Sequence, residues 1–232
     1  MKKFLIINPF GIGDVLFTTP LVRAVKLACP DSFIGYWCNQ RVRDILRNNP
    51  HIDKAFALSR GDIKHIYQHS KKEGLKSFLC LLSEIRKVKF DACFDFSLDH
   101  RYSLITKLLG IRRRVGFNYK GRGLFLTDKL AFDGYSHKHV VEYYLELLKP
   151  LNIAPAGNQL ELFTSERSKI KVKNMLNCLG IKGTDLLVGI APGAGASWGK
   201  DAAFKHWSAI KFAQLADLIA SGYGAKVAVL GD

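Results

Sequence analysis

The sequence predicts an α/β protein built on parallel sheets, arranged as two successive units. Three observations carry this. An unbroken apolar run, Lys3-Phe4-Leu5-Ile6-Ile7, enters the glycine turn Asn8-Pro9-Phe10-Gly11-Ile12-Gly13, and an amphipathic stretch follows over residues 15–26. Buried strand, turn and helix in that order open a β-α-β unit. The same order returns at Leu186-Leu187-Val188-Gly189-Ile190, followed by a small-residue turn over 192–197 and a helical pattern over 210–220. Between the two, short apolar runs alternate with helical patterns, as a doubly wound sheet requires.

The remaining elements follow in chain order. Residues 31–39 read as a second strand, and 40–49 as a short basic helix stopped by Pro50. Residues 54–58 read as a third strand, ending in Ser59-Arg60-Gly61-Asp62. A single long basic helix is expected over 63–87, with Gly74 inside it. Phe90-Asp91-Ala92-Cys93-Phe94-Asp95-Phe96 is a strand running into Ser97-Leu98-Asp99-His100-Arg101, where Asp95, Asp99 and His100 are candidate cleft lining. Asp99 reads equally as the cap of a helix over 101–109. Arg112-Arg113-Arg114-Val115-Gly116-Phe117 is a strand entering the loop Asn118-Tyr119-Lys120-Gly121-Arg122-Gly123. Residues 137–149 have helical spacing, with Val140, Val141, Tyr144, Leu145 and Leu148 inward and His137 and His139 at the start. Leu160-Glu161-Leu162-Phe163-Thr164 is expected to be the last strand of the first domain, and 166–179 a polar helix ended by Gly180. The boundaries are therefore 1–164 for the first domain, 165–184 for a linker helix and 185–232 for the beginning of a second domain. A β-α-β unit takes about 30 residues, so the sequence reads as lacking roughly 100 residues of that second domain. The chain alone is expected to be inactive.

Composition narrows the function classes. The chain has 232 residues, enough for one large or two small domains, and 48% hydrophobic residues against 24% charged is ordinary for a globular protein. No apolar run approaches the ~18 residues of a spanning helix, and Pro9 and Asp14 interrupt the N-terminal run too early for a signal peptide. The expected location is the cytoplasm. The five cysteines have no C-x-x-C spacing and read as reduced thiols. The net charge of +15 calls for an anionic partner: a phosphorylated substrate, an anionic membrane face or nucleic acid. No nucleic-acid fingerprint accompanies it.

The first turn carries the chemistry. Gly11 and Gly13 allow a ligand to approach the backbone, and Asp14 falls at the start of the following helix. The turn is a poor dinucleotide fingerprint: Leu16 replaces the third glycine, and the second strand ends Trp37-Cys38-Asn39 with no ribose-binding acid. A negative Asp14 would also face the pyrophosphate. Two readings of Asp14 stand, a helix cap and a general base aimed into the cleft.

The stretch from Ile7 to Leu21, with Asn8-Pro9-Phe10-Gly11-Ile12-Gly13-Asp14 at its centre, resembles the opening of the ADP-heptose:lipopolysaccharide heptosyltransferases, glycosyltransferase family 9. Ala191-Pro192-Gly193-Ala194, Lys205-His206-Trp207 and Phe212-Ala213-Gln214-Leu215-Ala216 resemble the start of the same family's nucleotide-sugar domain. The resemblance implies a GT-B arrangement, a pair of facing Rossmann-like domains, with an inverting transfer of heptose from ADP-heptose to the lipopolysaccharide inner core. It implies Asp14 as the base. Gly13, Arg60, Lys64, Lys120 and Arg122 would hold a lipid-linked acidic acceptor, and Gly193, Ala194, Ser197 and Lys205 the donor. It implies no cofactor and no bound metal, and a peripheral position on the anionic inner face of the cytoplasmic membrane. A transferase using another nucleotide sugar, or a non-catalytic nucleotide- or nucleic-acid-binding α/β module, are the alternatives.

Overall fold

The computed structural model describes residues 1–58, 60–193 and 207–231. Two compact units divide at Phe163 and Thr164.

The first unit is a six-stranded sheet in the order β3-β2-β1-β4-β5-β6. Its strands are β1 (Lys3–Ile7), β2 (Phe33–Cys38), β3 (Lys54–Ala57), β4 (Ala92–Asp95), β5 (Arg113–Tyr119) and β6 (Asp128–Phe132). All neighbours pair in parallel. β1 is central because both its faces are apolar. Phe4 and Ile6 enter one core with Val22, Tyr36, Phe94 and Tyr144. Leu5 and Ile7 enter the other with Trp37, Phe56, Leu81 and Ile85. A strand buried on both sides needs this continuous apolar run rather than alternation. Gly35 in β2 is required by packing: a Cβ there would lie 2.5 Å from the Phe90 ring and 2.9 Å from that of Phe56.

The helices depart from the sequence expectation in three places. The helix expected over 15–26 is two, α1 (Ile12–Phe17) and α2 (Thr19–Ala28). Pro20 lies in the first turn of α2, where a missing N–H costs nothing. The hydroxyls of Thr18 and Thr19 satisfy the carbonyls of Val15 and Leu16, both at 2.7 Å. The helix expected over 63–87 is also two, α4 (Arg60–His69) and α5 (Lys71–Val88). Ser70 divides them by accepting the Glu73 N–H, an N-cap bond that begins a new helix. Gly74 allows the close approach, since a Cβ there would lie 3.0 Å from the Tyr67 ring. The short helix after β2 is a 3-10 turn over Gln40–Val42 continued by α3 (Arg43–Leu46).

Elsewhere α6 (His100–Leu108) and α7 (Val140–Glu146) follow the expected positions. His139 caps α7, its Nδ1 accepting the Val141 N–H. One strand expectation is corrected and one strand is added. β6 was not expected from the sequence. Residues 160–164 are not a strand: their polar groups bind side chains rather than a neighbouring strand. Glu161 Oε1 is 2.8 Å from Arg23 Nη1, Thr19 Oγ1 accepts the Glu161 N–H, and Arg23 also donates to the carbonyls of Ala156 and Gln159.

The second unit contains α8 (Glu166–Cys178), β7 (Leu187–Ile190), α9 (Ala209–Tyr223) and β8 (Lys226–Val229). β7 and β8 pair in parallel, from Leu187 with Lys226 to Ile190 with Val229. Gly180, at φ +69°, supplies the left-handed residue after α8.

Candidate active site

The strand order reverses direction between β1 and β4. In an open parallel sheet the crevice beyond the carboxyl ends of the strands at such a switch is where ligands bind. The β1–α1 turn and the β4–α6 turn flank that crevice.

Buried asparagines build the β1–α1 turn. Asn8 Oδ1 accepts the Phe10 N–H at 3.1 Å, and Asn8 Nδ2 donates to the Asp14 carbonyl at 2.9 Å. Asn39, at the end of β2, donates to the carbonyls of Pro9 and Phe10. The turn is thus held from both sides. Gly11 caps α1 in an extended conformation, and Asp14 Oδ2 accepts the Gly11 N–H at 3.3 Å. The cap reading of Asp14 is thus seen in the structure. The carboxylate is nonetheless half-exposed, and Gly13 beside it faces open space, with nothing within 4 Å of where a Cβ would lie.

A group of phenols stands near Asp14. The Tyr36 hydroxyl is 2.7 Å from Thr18 Oγ1, and the Tyr135 hydroxyl donates to that of Tyr144 at 3.4 Å. Burial pushes all three phenols upward, and the Asp14 charge adds a smaller push in the same direction. They therefore remain protonated donors at neutral pH. Sequence reasoning missed their polar role. Helical spacing identified Tyr144 as a core residue, and it is one, but spacing is blind to its hydroxyl.

Across the crevice β4 ends in Asp95, which is 5% exposed. Burial pushes this carboxyl up to about 6, against the lowering effect of its bonds to Ser97. Asp95 Oδ1 accepts the Ser97 N–H at 2.9 Å, and Ser97 Oγ accepts the Asp99 N–H at 3.2 Å. Leu98 between them has φ +54°, strained for a leucine. Asp99 caps α6, Oδ1 accepting the Arg101 N–H at 3.0 Å. The cap reading therefore describes Asp99, and Asp95 is the buried acid of this turn.

The expected cationic residues follow other strands of the same sheet. Arg60 begins α4 after β3, its side chain lying outside the described part, and Lys64 is exposed one turn on. Lys120 and Arg122 are exposed on the turn after β5, with Lys120 at φ +49° and its Nζ 5.1 Å from the Tyr119 ring centre. Gly121, at φ +74°, and the Asn118 Oδ1 bond to the Gly123 N–H shape that turn. Strands lie about 4.8 Å apart. β3 and β5 are each two strands from β1, so these turns leave the sheet edge roughly 10 Å to either side of the Asp14 turn. In the second unit Gly193 is exposed beyond β7 with open space before it. Ala194, Ser197 and Lys205 lie outside the described residues. Among the described residues no three His, Cys, Asp or Glu side chains converge as metal ligands.

Comparison with known proteins agrees with this fold. The sequence profile of glycosyltransferase family 9 (heptosyltransferase) matches residues 79–231. The lipopolysaccharide heptosyltransferase 3 of Escherichia coli strain K12 is 24% identical over 209 residues, covering 89% of this chain and 57% of that protein. The crystal structure of a glycosyltransferase family 9 protein from Veillonella parvula superimposes with a TM-score of 0.76 at 21% identity, over 99% of this chain and 62% of that one. E. coli heptosyltransferase WaaC, solved with ADP-2-deoxy-2-fluoro heptose, gives a TM-score of 0.73 at 16% identity, over 99% of this chain and 69% of that one. The chain thus has the fold of these transferases while spanning under two thirds of the curated relative's length. Since the family profile matches well over half of its residues, the chain belongs to glycosyltransferase family 9, the heptosyltransferases.

Proposed function

We propose that the protein transfers heptose from ADP-heptose to the lipopolysaccharide inner core with inversion at the anomeric carbon. The observation that carries this is Asp14, a reachable carboxylate on a braced turn at the switch point, between turns bearing Lys64 on one side and Lys120 and Arg122 on the other. Asp14 takes the proton of the acceptor hydroxyl. The freed oxygen attacks the anomeric carbon, the bond from that carbon to the β-phosphate oxygen breaks, and ADP leaves with the electron pair. One base suffices because a single displacement needs no covalent intermediate. The cations meet the acidic groups of the acceptor. Gly13 leaves the approach to Asp14 clear.

In the second unit, Gly193, Ala194, Ser197 and Lys205 are the residues assigned to stabilise the charge developing on the diphosphate. That assignment is supported by the sequence motif. The acceptor is lipid-linked, and the +15 net charge suits work at an anionic cytoplasmic membrane face. Among the described residues no helix is long and apolar enough to cross a membrane.

The test is ADP release from ADP-heptose with and without a lipopolysaccharide core acceptor. Acceptor-dependent release that falls about 10²-fold in Asp14→Asn supports both reaction and base. Release unaffected by the substitution leaves Asp14 a helix cap. No release with any core acceptor, from a protein extended to the length of the relatives the chain matches, refutes the reaction.

A further inference from the structure

The outer face of α5 combines exposed leucines with exposed cations. Gly74, Leu81 and Ile85 of this helix are buried, and Leu81 and Ile85 join the core with Trp37 and Phe56. On the opposite side the spacing of Lys72, Leu75, Lys76, Leu79, Arg86 and Lys87 brings these six residues onto one stripe. Leu75 and Leu79 are 56% and 55% exposed, and the four cations are exposed around them. The only acids of α5, Glu73 and Glu84, lie off this stripe, and Glu84 is paired with Lys54 at 2.9 Å.

Two leucines one turn apart, ringed by long cationic side chains with no acid of their own helix between them, form an amphipathic surface of one sign. We infer that this face of α5 docks the protein on an anionic phospholipid bilayer. The leucines enter the headgroup–acyl boundary, and the lysine and arginine heads stay with the phosphates while their stems lie along apolar surface. Charge complementarity selects the occupant. A second copy of this chain would bring the same four cations against these four, and a neutral apolar partner would leave them unpaired. The helix is continuous with the proposed acceptor site, because α5 packs on α4 through Gly74 and Tyr67 and α4 carries Lys64. The benefit to a lipid-linked acceptor rests on the transferase reading, but the docking itself does not.

The experiment is co-sedimentation of the chain with vesicles of phosphatidylglycerol and phosphatidylethanolamine, against vesicles of phosphatidylcholine alone. Donor and acceptor are absent, so failure here leaves the ADP-release test untouched, and failure of that test leaves this one readable. Binding is expected to the anionic vesicles only, weakening as salt rises. Each of Lys72→Gln and Lys76→Gln should weaken it about fivefold. Leu75→Ser with Leu79→Ser should weaken it tenfold or more, with far-ultraviolet circular dichroism unchanged because both positions are exposed. Removing two exposed lysines of α8, Lys169 and Lys171, should leave binding near that of the unaltered chain. Equal loss from the α8 pair would reduce the effect to net charge and overturn the inference. So would binding indifferent to the leucines, or a dimer that the leucine variants dissociate while vesicles stay unbound.

Discussion

Asp95→Asn is expected to stabilise the protein at neutral pH, although Asp95 stands beside the crevice of the candidate active site. The carboxyl is buried at the end of β4 and titrates near 6 in the folded chain, against an ordinary 3.8. Between those two values the folded state holds more proton than the unfolded state, so stability falls as pH rises through the window. Above about 6 the loss is complete, and roughly two units at 1.36 kcal/mol each amount to about 3 kcal/mol. Asparagine stays neutral throughout and keeps an oxygen for the Ser97 N–H. The variant should therefore gain about 2–3 kcal/mol at pH 7.5 and nothing at pH 4. Native-state hydrogen exchange of peptides spanning β1 and β4 reads this as slower exchange in the variant at pH 7.5 and equal protection at pH 4, after correction for intrinsic rates. A variant less stable than the parent at pH 7.5 would refute the reasoning, because it would mean that the ionised form is favourably held.

Other substitutions test the scaffold. Gly35→Ala drives a methyl into the Phe90 and Phe56 rings and should cost about 1–3 kcal/mol, read as a lower urea midpoint. Arg23→Ala removes the anchor of residues 156–161, so proteolysis and hydrogen exchange there should quicken while β1 keeps its protection. Cys80 and Cys178 are exposed, whereas burial pushes the Cys38 thiol up to about 12 and Cys93 higher still. Iodoacetamide at neutral pH should therefore label Cys80 and Cys178 first and leave Cys38 and Cys93 unmodified until unfolding, as peptide mass spectrometry will show.

Much of the first unit was legible because a parallel sheet buried on both faces writes itself as short apolar runs. β1 to β5 fall where those runs are. β6 escaped because it is an edge strand, Asp-Lys-Leu-Ala-Phe, whose exposure alternates and whose charged start interrupts any continuous apolar run. Residues 160–164 misled in the opposite sense. Leu-Glu-Leu-Phe-Thr alternates like a strand, yet its backbone and carboxylate are claimed by Thr19 and Arg23, residues 142 and 138 positions away that no local pattern reveals. The helix breaks at Thr18 and Ser70 interrupt an apolar periodicity that runs through both. Pro20 and the Ser70–Glu73 pairing were the local signals. At the site, glycine spacing marked the turn and Asp14. The bracing by Asn8 and Asn39, the phenols of Tyr135 and Tyr144, and the upward shift of Asp95 arise only when distant strands meet.

The position of β1 has a consequence for synthesis. It is made before the other five strands of its sheet, and its two sheet neighbours arrive at very different times. β2 follows within about 30 residues, but β4 pairs with β1 only after residues 92–95 have been made. Until then one edge of Phe4-Leu5-Ile6-Ile7 presents unpaired N–H and C=O groups beside an apolar surface, the condition under which strand edges find wrong partners. The nascent chain is thus most vulnerable while the α4–α5 hairpin is being translated. A slow codon cluster in that stretch would lengthen the exposure.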